Sequence, residues 1–321
     1  MVQDTSSGSL RPFDFEHISE QVPELERFHA QLDAISFPVL FDSSNMHPEI
    51  WIKIATTIFE NYEQYNGFVI LHGSDTMAFT ASALSFMLEN LSKPVILTGS
   101  QLPVGEIRTD AKENLITSIE IASTKNSSLS EVCIFFDYQL YRGNRATKYS
   151  SEKFEAFRSV NYPVLAEAGV SIKYNSNYFF PTTENPLRLY SNLDDNLGIL
   201  KLYPGISQSM VNAVLNTPGL RAIILETFGA GNASTRKEFI DSLERAIEKG
   251  IIIYDVTQCL GGRVELGKYE TSVQLKNIGV ISGSDITTEA AVAKLMFLLG
   301  QNIPTEEVKQ KLSVSLRGEM Q

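Results

Sequence analysis

Residues 67–99 of the chain read GFVILHGSDTMAFTASALSFMLENLSKPVILTG. Two short apolar runs, GFVILHG (67–73) and PVILTG (94–99), enclose MAFTASALSFMLEN (77–90), which has the length of a helix and carries small residues on one face. Short apolar runs separated by a helix are typical of parallel strands whose two faces are both covered. This stretch therefore predicts an α/β fold.

The same alternation continues on both sides of this stretch. Apolar runs predict strands at 38–41 and 131–140, and helical spacing of apolar residues predicts helices at 48–62 and 111–123. From 161 to 196 the alternation gives way to prolines and polar residues, which we interpret as a hairpin followed by a linker.

The α/β alternation then resumes, which predicts a second domain. Its predicted strands are 197–204, 220–229, 251–258 and 264–267, and its predicted helices are 206–217, 234–250 and 287–300. We therefore expect two α/β domains with mainly parallel sheets: a larger N-terminal domain at 1–185, a linker at 186–196 and a smaller C-terminal domain at 197–321.

Composition narrows the class of protein. The 321 residues carry a formal net charge of -11, which argues against sequence-independent nucleic-acid binding because such binding needs a basic surface. Cys133 and Cys259 form no disulfide framework or zinc spacing, which suits a reducing compartment. No signal peptide and no apolar stretch of membrane-spanning length is visible, so we expect a cytoplasmic protein without a membrane partner.

Ser74, Asp75 and Thr76 directly follow the apolar run 67–73. Ligands of open α/β sheets bind beyond the carboxyl ends of the strands, and a hydroxyl becomes a nucleophile when a nearby base takes its proton. Two interpretations stay open at this point. The cluster is either part of a reactive site or a simple cap of the helix that begins near Met77.

Two further strand ends carry hydroxyl groups. Asp42, Ser43 and Ser44 follow the predicted strand at 38–41, and the loop at 98–101 begins with Thr98. Each loop alone is equally consistent with a helix cap. Because strand ends of one sheet meet at the same edge, we expect the three loops to lie together.

Two further residues could transfer protons. Lys148 lies in YRGNRATK (141–148), just after the predicted strand at 131–140, and burial can lower the pKa of a lysine enough for proton transfer. A solvated basic loop is the alternative. His72 precedes Ser74 and is either a base or a core histidine whose ring nitrogens are satisfied.

Taken together, three segments resemble the bacterial L-asparaginases of the type I, cytoplasmic class. They are HGSDTMAFTASALSFMLENLSKPVILTGSQLPVGEIRTDAKENL (72–115), YRGNRATK (141–148) and VTQCLGGRVELGKY (256–269). The resemblance extends over essentially the whole chain. It implies an asparaginase-like pair of α/β domains, with the active site in the larger one, and hydrolysis of L-asparagine to L-aspartate and ammonia without a metal or an organic cofactor. It also implies a homo-oligomer, either a dimer or a dimer of dimers.

The resemblance assigns roles to particular residues. Ser74 matches the family's second catalytic threonine, Asp75 the aspartate that follows it, and Lys148 the distant lysine of the proton relay. The side chains expected to contact the substrate are Asp42, Ser43, Ser44, Ser74, Asp75 and Thr98.

The sequence departs from the family in two places. The Thr-Gly-Gly-Thr-Ile-Gly motif, whose first threonine is the family's nucleophile, has no match, and Met1 corresponds to a methionine that often follows it. We therefore expect the first strand to be missing from the chain as written and its activity to be absent or impaired. The allosteric asparagine site of some type I enzymes would match Glu226, Thr257 and Cys259. An acid at 226 in place of arginine cannot pair with a carboxylate, so we expect weak or absent allostery.

Two alternatives to a hydrolase remain. Without the nucleophile, the remaining site could bind aspartate or asparagine without turnover. The motifs are also shared with the amidase subunit of tRNA-dependent amidotransferases. Those chains carry an additional N-terminal domain, and the acidic composition here gives no indication of contact with tRNA.

Overall fold

The computed structural model describes residues 22–39, 41–124 and 128–321, together with the backbone of Val2–Gln3 and Leu10–Arg11. Met1, which corresponds to the methionine after the family's nucleophile motif, lies outside these residues. The chain divides into two compact units. Unit 1 consists of Met1–Ser159 and Pro163–Leu189, and unit 2 of Val160–Tyr162 and Tyr190–Gln321.

The helices of unit 1 follow the apolar periodicity of the sequence. They are α1 (Pro48–Asn61), α2 (Met77–Met87) and α3 (Ala111–Ser123). Helix α1 begins with proline, whose fixed φ and missing N–H suit a first turn, and it buries Ile50, Ile54 and Ile58 on one face. Helix α2 is buried along nearly its whole length, which explains its small residues.

A mixed six-stranded sheet forms the centre of unit 1. Its strands are β3 (Phe68–Leu71), β5 (Val95–Thr98), β6 (Val132–Phe136), β7 (Gln139–Arg142), β10 (Ala166–Ala168) and β11 (Ile172–Tyr174). They lie in the order β11-β10-β7-β6-β5-β3. Strands β3, β5 and β6 run parallel, as the sequence predicts, and the other pairs are antiparallel. The predicted α/β class is confirmed for this unit.

Three two-stranded ladders complete unit 1. They are β1 (Val2–Gln3) with β2 (Leu10–Arg11), β4 (Leu88–Glu89) with β12 (Arg188–Leu189), and β8 (Thr147–Lys148) with β9 (Phe157–Arg158). The last of these ladders carries Lys148 and therefore bears on the candidate site.

Two predicted strands of unit 1 were wrong. The run at 131–140 is not one strand but the hairpin β6–β7, because Asp137 and Tyr138 adopt positive φ angles of 48° and 66° that reverse the chain. The run at 38–41 forms no strand in its described residues, and Val39 is 62% exposed. Within the described part of the chain, β3 is the edge strand, so no neighbouring strand pairs with this run.

Unit 2 contains a fully parallel four-stranded sheet. Its strands are β13 (Leu197–Lys201), β14 (Ala222–Thr227), β15 (Ile252–Thr257) and β16 (Ile281–Ser282), which lie in this order. The helices are α4 (Gln208–Leu215), α5 (Lys237–Glu248), α6 (Glu270–Asn277), α7 (Thr288–Gly300) and α8 (Thr305–Leu312). Apolar residues of α4, α5 and α6 pack on one face of this sheet.

The predicted strand at 264–267 was also wrong. Its backbone forms no ladder with a strand of the described residues and makes isolated hydrogen bonds instead, such as those from Val264 to Ser284 and from Glu265 to Ala230. The fourth strand of the sheet is β16 instead. No helix of the described residues is both long enough and apolar enough to cross a membrane.

Candidate active site

The centre of the candidate site is a three-residue network at the end of β3. Ser74 and Asp75 lie between β3 and the first turn of α2, and Lys148 lies on β8. The Lys148 Nζ donates to Ser74 Oγ at 2.9 Å and to Asp75 Oδ1 at 2.5 Å. The side chain of Lys148 is 17% exposed and that of Asp75 is 65% exposed. The structure thus brings together the three residues that the sequence predicts as catalytic.

The backbone before Lys148 explains how the lysine reaches this position. A buried 3-10 turn, Gly143–Arg145, connects β7 to β8. A Cβ on Gly143 would lie 2.9 Å from the Val132 carbonyl oxygen, so only glycine lets the turn pack this closely on β6. Lys148 then pairs with Phe157 across the β8–β9 ladder. The lysine therefore lies on a paired strand that follows a buried turn, and not in a solvated loop.

The loop with Asp42, Ser43 and Ser44 contacts the loop after β3. Thr76 Oγ1 donates to the Ser43 carbonyl at 2.7 Å, and a Cβ on Gly73 would lie 2.5 Å from Ser43 Oγ. The Asp42 carboxylate accepts from Ser44 Oγ at 2.6 Å and from Ser44 N–H at 2.8 Å. The hydroxyl and then the backbone N–H of Ser44 hold the pKa of Asp42 below its usual value. Asp42 therefore presents a negative charge beside the loop that carries Ser74.

The loop after β5 reaches the network through a residue other than the predicted one. Thr98 is 1% exposed and donates its hydroxyl to the Phe135 carbonyl at 2.9 Å, so that hydroxyl does not face the cluster. Gln101 reaches it instead, since Ser74 Oγ donates to Gln101 Oε1 at 3.2 Å. The sequence places the loop correctly at a strand end, but a strand buried on both faces gives no signal for which side chain turns outward.

Gln101 is held from two sides. Its backbone N–H donates to the Asp110 carboxylate at 3.0 Å, and its Nε2 donates to the Lys153 carbonyl at 3.0 Å. Asp110 also accepts from Asn114 Nδ2 at 3.2 Å, which ties the loop to the first turn of α3. Gln101 is therefore a fixed acceptor for the hydroxyl of Ser74.

His72 is a satisfied core histidine, the second of the two interpretations that the sequence leaves open. Its Nδ1 lies 2.7 Å from the Gly73 carbonyl oxygen and its Nε2 lies 2.9 Å from Thr80 Oγ1. Burial lowers the pKa of the ring below its usual value. Because both ring nitrogens are already engaged by Gly73 and Thr80, the described geometry gives no support for His72 as the base of Ser74.

The three residues of the expected allosteric site do not form one cluster. Glu226 pairs with Lys201 Nζ at 3.1 Å and accepts from Thr288 Oγ1 at 2.8 Å. Thr257 instead donates to the Gly229 carbonyl at 2.6 Å and accepts from the Cys259 N–H at 3.0 Å. Glu226 is in register with Val256, the neighbour of Thr257, so strand alternation places the two side chains on opposite faces of the sheet.

The network suits transfer of protons to and from a hydroxyl. An ammonium, a carboxylate and an amide oxygen all converge on or beside the Ser74 hydroxyl. Across the residues that the structure describes, no group of three or more histidine, cysteine, aspartate or glutamate side chains could hold a metal ion.

Comparison with known proteins identifies the relatives of both units. The family model "Asparaginase, N-terminal" matches residues 1–179, and the model "Glutaminase/Asparaginase C-terminal domain" matches residues 196–312. The chain is 43% identical to L-asparaginase 1 of Escherichia coli (strain K12) over 308 residues, which cover 95% of this chain and 90% of that protein.

A solved structure and a more distant relative extend this comparison. The crystal structure of L-asparaginase I from Vibrio cholerae O1 biovar eltor str. N16961 has a TM-score of 0.88 and 44% identity, with 95% of this chain and 92% of that chain covered. A glutamyl-tRNA(Gln) amidotransferase subunit from Pyrococcus abyssi is 32% identical over 329 residues, covering 99% of this chain and 73% of that protein.

Proposed function

This chain is a member of the asparaginase family, and we propose that it is an L-asparagine amidohydrolase, which converts L-asparagine to L-aspartate and ammonia. Two relatives named L-asparaginase 1 or I, from E. coli and V. cholerae, share more than two fifths of their residues with it over nearly the whole chain. The observation that carries the proposal is the contact of Lys148 with both Ser74 and Asp75.

The proposed reaction has two steps. A hydroxyl oxygen attacks the side-chain amide carbon, the C–N bond breaks, and the hydroxyl proton leaves with the nitrogen as ammonia. Water then attacks the resulting ester, and the C–O bond to the enzyme breaks to release aspartate. Lys148 and Asp75 move protons through Ser74 in both steps, and backbone N–H groups at the strand ends stabilise the negative oxygen of each tetrahedral intermediate.

The charges around the network favour a small zwitterion. The Asp42 carboxylate, whose pKa is lowered, is suited to an α-ammonium group. The N-terminus of α2 attracts negative charge, which suits a carboxylate or a developing oxyanion. We propose Ser43, Ser44, Ser74 and Asp75 as the remaining substrate contacts. Thr98 supports the sheet end, since its hydroxyl is already used by Phe135.

The sequence contains no Thr-Gly-Gly-Thr-Ile-Gly motif, which determines the experiment. Ammonia release from L-asparagine is measured for the 321-residue chain and for the same chain with a strand ending in Thr-Gly-Gly-Thr-Ile-Gly fused before Met1. Turnover by the fused chain, with weak or absent turnover by the original, is the expected result. Equal turnover by both contradicts the view that the nucleophile is missing, and no turnover by either contradicts the proposed function.

A non-catalytic role is the second candidate, in which the contacts among Ser74, Asp75 and Lys148 form a binding site for L-aspartate without turnover. Calorimetry of the 321-residue chain with L-aspartate tests it. Binding without turnover supports the role, whereas the absence of both heat and a thermal shift rules it out. A role as an amidotransferase subunit is less favoured, since that relative shares fewer residues with this chain than the two asparaginases do.

Three further properties belong to the proposal. We propose a cytoplasmic protein, supported by the cysteine usage of the sequence. We propose a homo-oligomer, a dimer or a dimer of dimers, whose state sedimentation would measure. We also retain the predicted linker at 186–196, which includes the boundary between units at Leu189 and Tyr190.

A further inference from the structure

A buried chain of hydrogen bonds leads to the peptide bond in front of Ser74. The indole Nε1 of Trp51 in α1 donates to Thr80 Oγ1 at 2.9 Å, and Thr80 in α2 lies 2.9 Å from His72 Nε2. The other ring nitrogen, His72 Nδ1, lies 2.7 Å from the carbonyl oxygen of Gly73. Trp51, Thr80 and His72 are all buried, so water does not compete for these bonds.

The chemistry at the two ends fixes the direction of every bond in this chain. An indole N–H only donates, and a backbone carbonyl only accepts. Thr80 must therefore accept from Trp51, and its own proton is free for His72 Nε2. His72 must carry a proton on Nδ1 in order to bind Gly73. Burial lowers the pKa of the ring, so the neutral form with the proton on Nδ1 is the resting state.

The anchored carbonyl determines where the next N–H points. The chain contains no cis peptide bond among its described residues, so the C=O of Gly73 and the N–H of Ser74 point in opposite directions. The carbonyl is directed to the buried ring of His72, and the Ser74 N–H is therefore directed away from the core. That N–H has no hydrogen-bond partner within the described residues and remains available to a ligand at the end of β3.

Resting on the proposed function, we propose that His72 is a positioning residue for hydrolysis. Held by Trp51 and Thr80, its Nδ1–H fixes the Gly73–Ser74 peptide so that the Ser74 N–H faces the substrate carbonyl oxygen as it becomes negative. His72 itself does not touch the substrate. The backbone around this peptide is closely packed, since a Cβ on Gly73 would lie 2.5 Å from Ser43 Oγ and a Cβ on Gly99 would lie still closer to the His72 carbonyl oxygen.

The first test does not depend on catalysis. Nitrogen-15 NMR of the 321-residue chain is expected to show His72 protonated on Nδ1 and unprotonated on Nε2 at neutral pH. Replacing Thr80 with valine keeps the side-chain shape but removes the hydroxyl. Thr80→Val is therefore expected to shift the His72 ring signals, the Gly73 carbonyl carbon and the Ser74 amide. A ring protonated on Nε2 alone, or an unmoved Ser74 amide, overturns the proposal.

The second test uses whichever chain hydrolyses asparagine. Thr80→Val is expected to lower kcat about fivefold, the effect of one lost hydrogen bond, with KM nearly unchanged. Ser85→Ala is the matched control, because among the described residues the Ser85 hydroxyl in the same helix binds only the Ala81 carbonyl. A merely structural role would lower the folded fraction of both variants and leave kcat per folded molecule unchanged, which would contradict the proposal.

A pair of substitutions at His72 separates its two nitrogens. Asparagine places an amide N–H near the position of Nδ1, and glutamine places one near the position of Nε2. His72→Asn is expected to keep kcat within about threefold, whereas His72→Gln lowers it about tenfold because the Gly73 carbonyl loses its donor. The reverse order overturns the proposal. If no chain hydrolyses asparagine, the proposed function fails, and the NMR test still decides whether His72 fixes the peptide.

Discussion

Two lysine–carboxylate pairs of this chain differ in how completely they are satisfied. In unit 2, Lys294 and Glu319 are both fully buried, with 2.7 Å between Nζ and Oε1. Lys294 also donates to the carbonyl oxygens of Leu312 and Val314, so all three of its N–H groups have acceptors. In unit 1, Lys148 has two acceptors among the described residues, Ser74 and Asp75, and its carboxylate partner is largely exposed.

This difference separates a structural ion pair from the pair that we propose as reactive. The carboxylate of Glu319 accepts from the backbone N–H groups of Leu316 and Arg317 within the C-terminal segment, and its pair with Lys294 fastens that segment to α7. Nothing in that pair is available to a ligand. Among the described residues, one N–H of Lys148 has no acceptor and another contacts a hydroxyl, which is the arrangement expected of the proton-transfer role that we propose.

The largest expected effect on folding comes from breaking the buried pair. Lys294→Met leaves the Glu319 charge buried without its cation and is expected to lower the free energy of unfolding by about 3–5 kcal/mol. Urea denaturation followed by circular dichroism measures this. Lys294→Met combined with Glu319→Gln removes both charges and should recover much of the loss. A single variant as stable as the wild type would contradict the structural role.

Replacing the lysine of the other pair, Lys148, with methionine tests whether that pair serves catalysis more than stability. In whichever chain hydrolyses asparagine, Lys148→Met is expected to reduce turnover about a hundred- to ten-thousandfold, the usual range for loss of a proton-transfer group. Its free energy of unfolding should change by about 1 kcal/mol or less, because Asp75 is 65% exposed. Turnover is measured by ammonia release. A large loss of stability with little loss of turnover per folded molecule would reverse our assignment.

Asp255 is a buried carboxylate without a lysine partner among the described residues, and its pKa differs accordingly. Thr227 Oγ1 donates to Oδ1 at 2.7 Å, and Oδ2 has no hydrogen-bond partner among the described residues. Burial raises the pKa of Asp255 to about 7, above the usual 3.8. As the pH rises, the unfolded chain therefore loses this proton first. The resulting penalty on folding is absent below about pH 4, grows up to pH 7 and stays constant above it.

Asp255→Asn is accordingly expected to stabilise the protein at pH 8, by up to about 4 kcal/mol, with a gain that shrinks as the pH is lowered to about 5. Urea denaturation at each pH measures the gain. Asp241→Asn serves as the control, since that carboxylate is partly exposed and pairs with Lys237 on the surface of α5. A gain that does not vary with pH would show that Asp255 is ionised throughout.

The main helices and parallel strands could be predicted from the sequence because their apolar patterns are strong. Helix α3 begins and ends where the pattern predicts, at Ala111 and Ser123. The failures have a local physical cause. The hairpin after β6 depends on left-handed backbone conformations at Asp137 and Tyr138. Neither residue is a glycine, so the sequence gives no signal for this turn. The apolar run at 38–41 has no strand to pair with in the described chain.

The sequence predicted where the candidate site lies in the fold, but it did not predict which side chains contact each other there. Strand ends identify the loops that carry Ser74 and Gln101, but the register of the sheet decides which side chains meet. Register also separates Glu226 from Thr257. The resemblance assigns both residues to one allosteric site, but their side chains lie on opposite faces of the sheet. Lys148 was assigned through the resemblance, since nothing in its local sequence indicates a partner 73 residues away.

The smallest expected effect concerns Gln101, the acceptor that the sequence did not single out. Gln101→Met keeps the length of the side chain and removes its hydrogen bonds, so the Ser74 hydroxyl loses a fixed direction. Turnover is expected to fall about two- to tenfold, the effect of one neutral hydrogen bond. Ammonia release at saturating asparagine measures this loss.

The side chain of Gln101 makes two kinds of hydrogen bond: its Oε1 accepts from Ser74 and its Nε2 donates to the Lys153 carbonyl. A second substitution distinguishes the effects of these two bonds. Gln101→Glu keeps an oxygen acceptor for Ser74 but cannot donate to the Lys153 carbonyl, which now binds Nε2. If orientation of the hydroxyl matters, the glutamate variant retains more turnover than the methionine variant. If anchoring of the segment at 150–153 matters, both variants lose turnover equally and hydrogen exchange in that segment accelerates. The second outcome would make Gln101 a support of the loop and leave Lys148 and Asp75 as the groups that direct Ser74.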